Sequence, residues 1–192
     1  MAFIGIRIDE ATSLRVAASC DFLRQAGVEA EWVHPEDYHI TLKFISGLSD
    51  DVAQKIILCL RENLESSVAF SIKLAEFKTF DRLGKPSVLW MSVLDPGKKF
   101  LSLAETVEKI TTPLGIAPNR EHYIPHLTVA RFPASESNRL KCLLAILAAS
   151  NKEFVPMELQ VRSVALMRRF QGKGKRADGP LYQSLGGVDL IT

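Results

Sequence analysis

Apolar positions along this chain recur with two periods, and the points where the period changes divide it into elements. Residues 3–8 (FIGIRI) have the pattern of a strand. Residues 9–27 switch to helical spacing, with Leu14, Val16, Ala17, Cys20, Phe22 and Leu23 on one face and Gly27 as the stop. Residues 32–37 read as a loop marked by Pro35, and residues 38–46 as a strand closed by Gly47. Ser49 is placed to cap a helix over 50–64, whose positive N-terminal end suits Asp50 and Asp51. Strands over 68–80 and 87–94 flank a turn at 81–86. The second of them, SVLWMSVL, is apolar on both faces and belongs inside a sheet. Asp95-Pro96-Gly97 breaks the chain before a helix over 98–112 that Pro113 and Gly115 end. A loop at 119–124, a strand at 125–132, a helix at 135–149 and strands at 154–168 and 179–190 complete the order.

Two stretches in this order match. His39-Ile40-Thr41-Leu42 returns 87 positions later as His126-Leu127-Thr128-Val129. The surroundings match too: strand (3–8), helix (9–27), strand (38–46) parallels strand (87–94), helix (98–112), strand (125–132). An internal duplication of a strand-helix-strand unit accounts for both observations. Because alternate residues of a strand share a face, each copy presents an imidazole beside a hydroxyl, with its apolar pair turned to the core.

Composition narrows the class. The chain has 192 residues, 47% of them apolar and 24% charged, which suits one globular domain over 1–192. A net charge of +2 supplies no global field, so an anionic ligand must be held by a local cluster. The three cysteines, Cys20, Cys59 and Cys142, contain no CxxC pair and read as free thiols buried in helix faces in a reducing compartment. With no signal-peptide pattern and no apolar run near the ~18 residues of a membrane span, the expectation is a cytoplasmic monomer.

Two histidines facing one cleft form an acid–base pair, since imidazole titrates near ~6.5 and one can be charged while the other is neutral. In-line displacement at phosphorus needs such a pair on opposite sides of its centre. Thr41 and Thr128 can then donate to the phosphoryl oxygens, where charge develops, and the scheme requires no metal or cofactor. The alternatives are ordinary near-surface strand histidines, or a metal held by His122 and His126 at i, i+4. Pro125 lies between those two and argues against a helix there. Arg131 could bind phosphate, although strict alternation turns it away from His126 unless a bulge or twist intervenes. Lys43 shares parity with His39 and could reach a ligand. Phe44 and Trp90 could stack on a base. His34 sits in a loop and could edge the cleft. The loop at 168–176 carries five positive charges in nine residues, either an RNA-backbone clamp or a solvated hairpin tip. Its GKGK run lacks P-loop spacing.

HITLKFISGL and PHLTVARF, with the N-terminal FIGIRI, resemble the two-histidine phosphoesterase superfamily, specifically the bacterial and archaeal RNA 2′,3′-cyclic phosphodiesterases also called 2′-5′ RNA ligases. The likeness extends to SVLWMSVL and to Gly179-Pro180-Leu181-Tyr182. It implies a bilobal α+β fold, two antiparallel sheets related by a pseudo-twofold duplication, outer helices and a central V-shaped cleft. It also implies opening of 2′,3′-cyclic phosphate RNA ends to the 2′-phosphate. His126 would activate the water, His39 would protonate the leaving oxygen, Thr41 and Thr128 would hold the phosphate, and Arg131 matches the arginine that ends the second motif. The same site could instead join RNA ends through a 2′-5′ bond without ATP, or only bind nucleotides. Ser46 before Gly47 departs from the Leu-Gly common in relatives.

Overall fold

A computed structural model describes residues 1–118, 123–132, 140–170 and 180–192. β1 (Ala2–Arg7) runs into α1 (Glu10–Gln25), then a two-residue strand β2 (Glu31–Trp32), a 3-10 turn at Pro35–Asp37 and β3 (His39–Ile45). α2 (Asp50–Leu64) precedes the long hairpin of β4 (Phe70–Arg82) and β5 (Lys85–Leu94). α3 (Lys99–Thr111), β6 (His126–Arg131), α4 (Leu140–Glu153), β7 (Met157–Val161), β8 (Ser163–Arg169) and β9 (Tyr182–Asp189) complete the chain. Local chemistry sets the helix starts. The Asp9 carboxylate accepts from the Thr12 amide at 2.9 Å, Ser49 Oγ accepts from the Val52 amide at 3.3 Å, and Asp95 accepts from the amides of Lys99 and Phe100 at 3.1 and 2.7 Å.

The strand order is β7-β4-β5-β6-β3-β1-β8-β9, with β2 added beside β6 and every strand pairing antiparallel. Read outwards from the centre, β6, β5, β4, β7 on one arm answer β3, β1, β8, β9 on the other. This is the symmetry that the repeated tetrapeptide predicts. The arms are not separate sheets, because one register pair, Ile40 with Leu127, joins β3 to β6. The expected strand at 154–168 is two strands, interrupted at Arg162; β7 edges the first arm and β8 lies inside the second. The chain thus crosses between the arms at Arg162, and a bridge between Val68 and Ile191 ties the same ends. β2 falls where a loop begins in the sequence reading, because its pairing to β6 is non-local.

Helices cover the apolar face. α1 buries Val16, Cys20 and Leu23, and α3 buries Phe100, Leu103, Val107 and Ile110, in one core cluster with Ile40, Leu42, Leu127 and Val129 of the motif strands. Each such side chain contributes about 1.5–3 kcal/mol on burial. Cys20 is a core residue beneath Tyr38, and burial pushes its thiol up to about 11; Cys59 is half-buried, and both are free. The Cys142 side chain, the 135–139 part of the expected fourth helix, His122 and residues 171–176 of the basic loop lie outside the described residues. No described helix is long and apolar enough to cross a membrane.

Candidate active site

The β3–β6 seam places four polar side chains on one face. Antiparallel register through Ile40 and Leu127 sets Thr128 opposite His39 and His126 opposite Thr41. The two histidines therefore lie on a diagonal, a relationship that separates same-face residues by about 7–8 Å, room for one phosphorus between them. All four line one cleft of about 770 Å³.

Each imidazole is held in the same way. His39 Nδ1 lies 2.6 Å from the carbonyl oxygen of Asp37, and His126 Nδ1 lies 2.7 Å from that of Ile124, in each case two residues upstream. A carbonyl oxygen only accepts, so Nδ1 carries the proton in both rings and Nε2 is the working atom. When neutral that nitrogen is a base, and when charged it is an acid. Aromatic rings fix the planes. His39 stacks on Phe3 at 4.2 Å and meets Tyr182 edge-on at 5.4 Å, while His126 meets Phe80 at 4.9 Å and Trp90 at 5.7 Å.

Burial pushes both histidines below the ordinary 6.5, and the Arg131 charge pushes each further the same way. His39 also feels His126, so the two share one electrostatic site. The rings differ in their surroundings. Both keep the carbonyl that favours the charged form; His39 also has the Asp37 carboxylate beside it, which raises it, and the His126 charge, which lowers it.

Asp37 has a second task. Its buried carboxylate accepts from the amides of Leu181 and Tyr182 at 2.7 and 3.1 Å, which brings the start of β9, and the Tyr182 ring, against His39. Tyr123 does comparable work between the arms, its hydroxyl donating to the Thr41 carbonyl at 2.7 Å. Neither residue stands out in the sequence, although Asp37 lies two positions before His39, where the ring nitrogen needs an acceptor.

Beyond each threonine, a bulge decides which side chains reach the cleft. On β6, Thr128 pairs with Trp90 but Ala130 pairs with Leu89, leaving Val129 as the extra residue. Parity reverses there, and Arg131 returns to the cleft. On β3, Thr41 pairs with Gly5 but Lys43 pairs with Ile4, so Leu42 is the extra residue. Phe44 accordingly lines the cleft, and Lys43 does not. The expectation that Lys43 faces the ligand is wrong for this reason. Its side chain is buried behind the sheet, where Nζ donates to both Glu108 carboxylate oxygens and to the Ala117 carbonyl, each at 2.7 Å. Gly5 makes the bulge possible, since a Cβ there would sit 2.7 Å from the Ile40 carbonyl oxygen.

Among the other candidates, His34 reaches the cleft wall, where its ring also accepts from the Glu36 amide at 3.3 Å. Trp90 is buried, stacked on Phe80 at 4.5 Å and edge-on to His126, and packs behind the cleft-lining residues rather than offering an open face. Arg169, at the start of the basic loop, lines the cleft on the β8 side. Among the described residues no group of three or more His, Cys, Asp or Glu is placed to hold a metal.

Residues 14–173 match the model of the 2′-5′ RNA ligase superfamily. The chain belongs to that superfamily. A protein of Aeropyrum pernix named RNA 2′,3′-cyclic phosphodiesterase is 31% identical over 89% of this chain and 92% of its own length. One of the same name from Methanothermobacter thermautotrophicus is 29% identical over 96% and 95%. A third, from Aquifex aeolicus, is 30% identical over 61% of this chain and 63% of its own. The fold is that of E. coli LigT complexed with 3′-AMP, with a TM-score of 0.72 at 16% identity over 100% of this chain and 98% of that one. A Thermus thermophilus protein gives 0.74 at 20% identity over 98% and 97%.

Proposed function

We propose that this member of the superfamily is an RNA 2′,3′-cyclic phosphodiesterase that opens the cyclic phosphate at an RNA 3′ end to a 2′-phosphate. The observation that carries the reading is the matched tethering of the two imidazoles, which leaves both Nε2 atoms free on one cleft face beside two threonines and an arginine.

The chemistry runs as an in-line displacement. A water oxygen attacks phosphorus as His126 Nε2 takes its proton. The bond from phosphorus to the 3′ oxygen breaks, and His39 Nε2 delivers a proton to that oxygen. The products are a 3′-hydroxyl and a 2′-phosphate, with His39 neutral and His126 charged until solvent exchange resets them. The carboxylate of Asp37, which favours the charged form of His39, supports His39 as the acid, and His126 then takes the part of the base. Thr41, Thr128 and Arg131 donate to the phosphoryl oxygens as charge grows on them. Phe44 lines the wall on the His39 side, a surface suited to a ribose or base face. Side chains supply every proton and every donor in this scheme.

The test is turnover of a 2′,3′-cyclic nucleotide by the purified protein in EDTA, with the product resolved by phosphorus NMR. The 2′-phosphate is expected, and no turnover, or release of the 3′-phosphate, overturns the reading. With an RNA 5′-hydroxyl in place of water the same arrangement would join ends, and offering both acceptors reads which one the protein uses.

A further inference from the structure

We propose that the tip of the β4–β5 hairpin holds the phosphate backbone of the RNA strand leading to the reacting end, making an oligonucleotide the preferred substrate over a cyclic mononucleotide. This rests on the phosphodiesterase reading and adds to it where the rest of the strand goes.

The tip breaks three local rules at once. Arg82 and Lys85 are register partners, so two like charges stand directly opposite each other. Neither takes an ion pair or a side-chain hydrogen bond among the described residues. Between them Leu83 and Gly84 turn the chain with φ of 54° and 72°. A hairpin turn with two positive φ values suits Asn-Gly, whereas a leucine there is strained. Leu83 is also 94% exposed, so packing does not offset the strain. Departures from local consistency gathered at one place mark a function-bearing segment.

The position fits the cleft. Phe80 and Val88 are a register pair, and both line it. Arg82 lies two residues beyond Phe80 on the same strand and therefore on the same face, and its partner Lys85 shares that face. Lys78, the preceding residue on that face, is occupied by Glu76 at 3.6 Å, whereas the two cations of the tip have no such partner among the described residues. Val88 pairs with Arg131, which extends the row of positive charge from the reaction centre outwards. Three residues of strand from Val88 to Lys85 span about 10 Å. A stacked strand rising about 3.4 Å per nucleotide would bring roughly its third nucleotide to the tip.

The experiment compares adenosine 2′,3′-cyclic phosphate with a ten-nucleotide RNA bearing the same cyclic end, using the full chain. The wild type should show the higher kcat/KM on the RNA. Arg82→Ala with Lys85→Ala should cost about tenfold in kcat/KM on the RNA at 0.1 M salt, through KM, with no effect on the mononucleotide. The log–log salt slope on the RNA should fall by about 1.4, or 0.7 for each phosphate contact on a single strand. The glutamine pair Arg82→Gln with Lys85→Gln should behave alike, and melting temperatures should hold or rise as the repulsion goes. Equal losses on both substrates, an unchanged RNA rate, or loss of the RNA preference in Arg169→Ala instead would overturn the proposal while leaving the phosphodiesterase reading intact. Failure of the wild type to turn over either substrate overturns both.

Discussion

Phe44 stands in the His39 half of the molecule where Arg131 stands in the His126 half. Each lies five residues beyond its histidine and two beyond the bulged residue, Leu42 or Val129, and each lines the same cleft. The two halves thus repeat their backbone and differ in the group they present, a ring on one side and a guanidinium on the other. A pseudo-symmetric frame has become a polar site.

If the histidines act as acid and base, His39→Ala and His126→Ala should each lower kcat by about 10²–10⁴. The double variant should be scarcely worse than either, because the two protons move in one transition state. Steady-state rates on a cyclic nucleotide check this, and additive losses would separate the two residues' roles.

Arg131→Ala should cost about 10²–10³ in kcat, the scale of one lost donor to developing charge. Arg131→Lys should recover part of that, since it restores charge without the two-nitrogen fork. The pH profile should move as well. Arg131 lowers both histidines, so its removal should shift both limbs of the kcat/KM bell upward. A rate loss with unmoved limbs would place the guanidinium away from the imidazoles.

Lys43→Met should act on stability rather than chemistry. It leaves Glu108 without its buried ammonium and the Ala117 carbonyl without its donor. Because the Glu108 side chain is 28% exposed, the cost should be about 1–3 kcal/mol, below that of a wholly buried pair. Urea melts measure it. A variant of wild-type stability whose KM alone rose would return Lys43 to the ligand.

Burial of the two histidines has a sign in the stability curve. Their folded values lie below 6.5, so as pH falls through 6.5 the unfolded chain binds protons that the folded chain refuses. Stability should therefore drop between neutral pH and the lower folded values. The paired substitution His39→Gln and His126→Gln should flatten that window in denaturant melts at pH 7.5 and 5.5. An unchanged slope would contradict the burial.

Alternation makes the histidine–threonine face legible from sequence, since His39 with Thr41 and His126 with Thr128 need only a regular strand. Past the threonines the rule fails, because one extra residue reverses it. For Arg131 alternation itself names the condition, a bulge or twist at the strand end, under which the side chain faces the cleft. For Lys43 the repeat itself held the signal: superposed on the second motif, Lys43 falls on the buried Ala130 and Phe44 falls on Arg131. Asp37, Tyr123 and Tyr182 were illegible for another reason. Their tasks depend on partners at Tyr182, Thr41 and His39, set by how β9 and the segment before β6 return to the motif strands. The break at Arg162 was hidden likewise, because one strand pattern serves two arms.

That crossing at Arg162 makes the molecule behave like a pair of calipers. The jaws are the two arms, joined at Arg162 and meeting within the sheet through a rung, the register pair of Ile40 with Leu127, which the Tyr123–Thr41 and Lys43–Glu108 bonds reinforce. The gap between the two imidazoles is then a tertiary dimension that neither arm encodes alone. Mild urea that loosens the rung should silence turnover while the circular dichroism of both arms still reads as native.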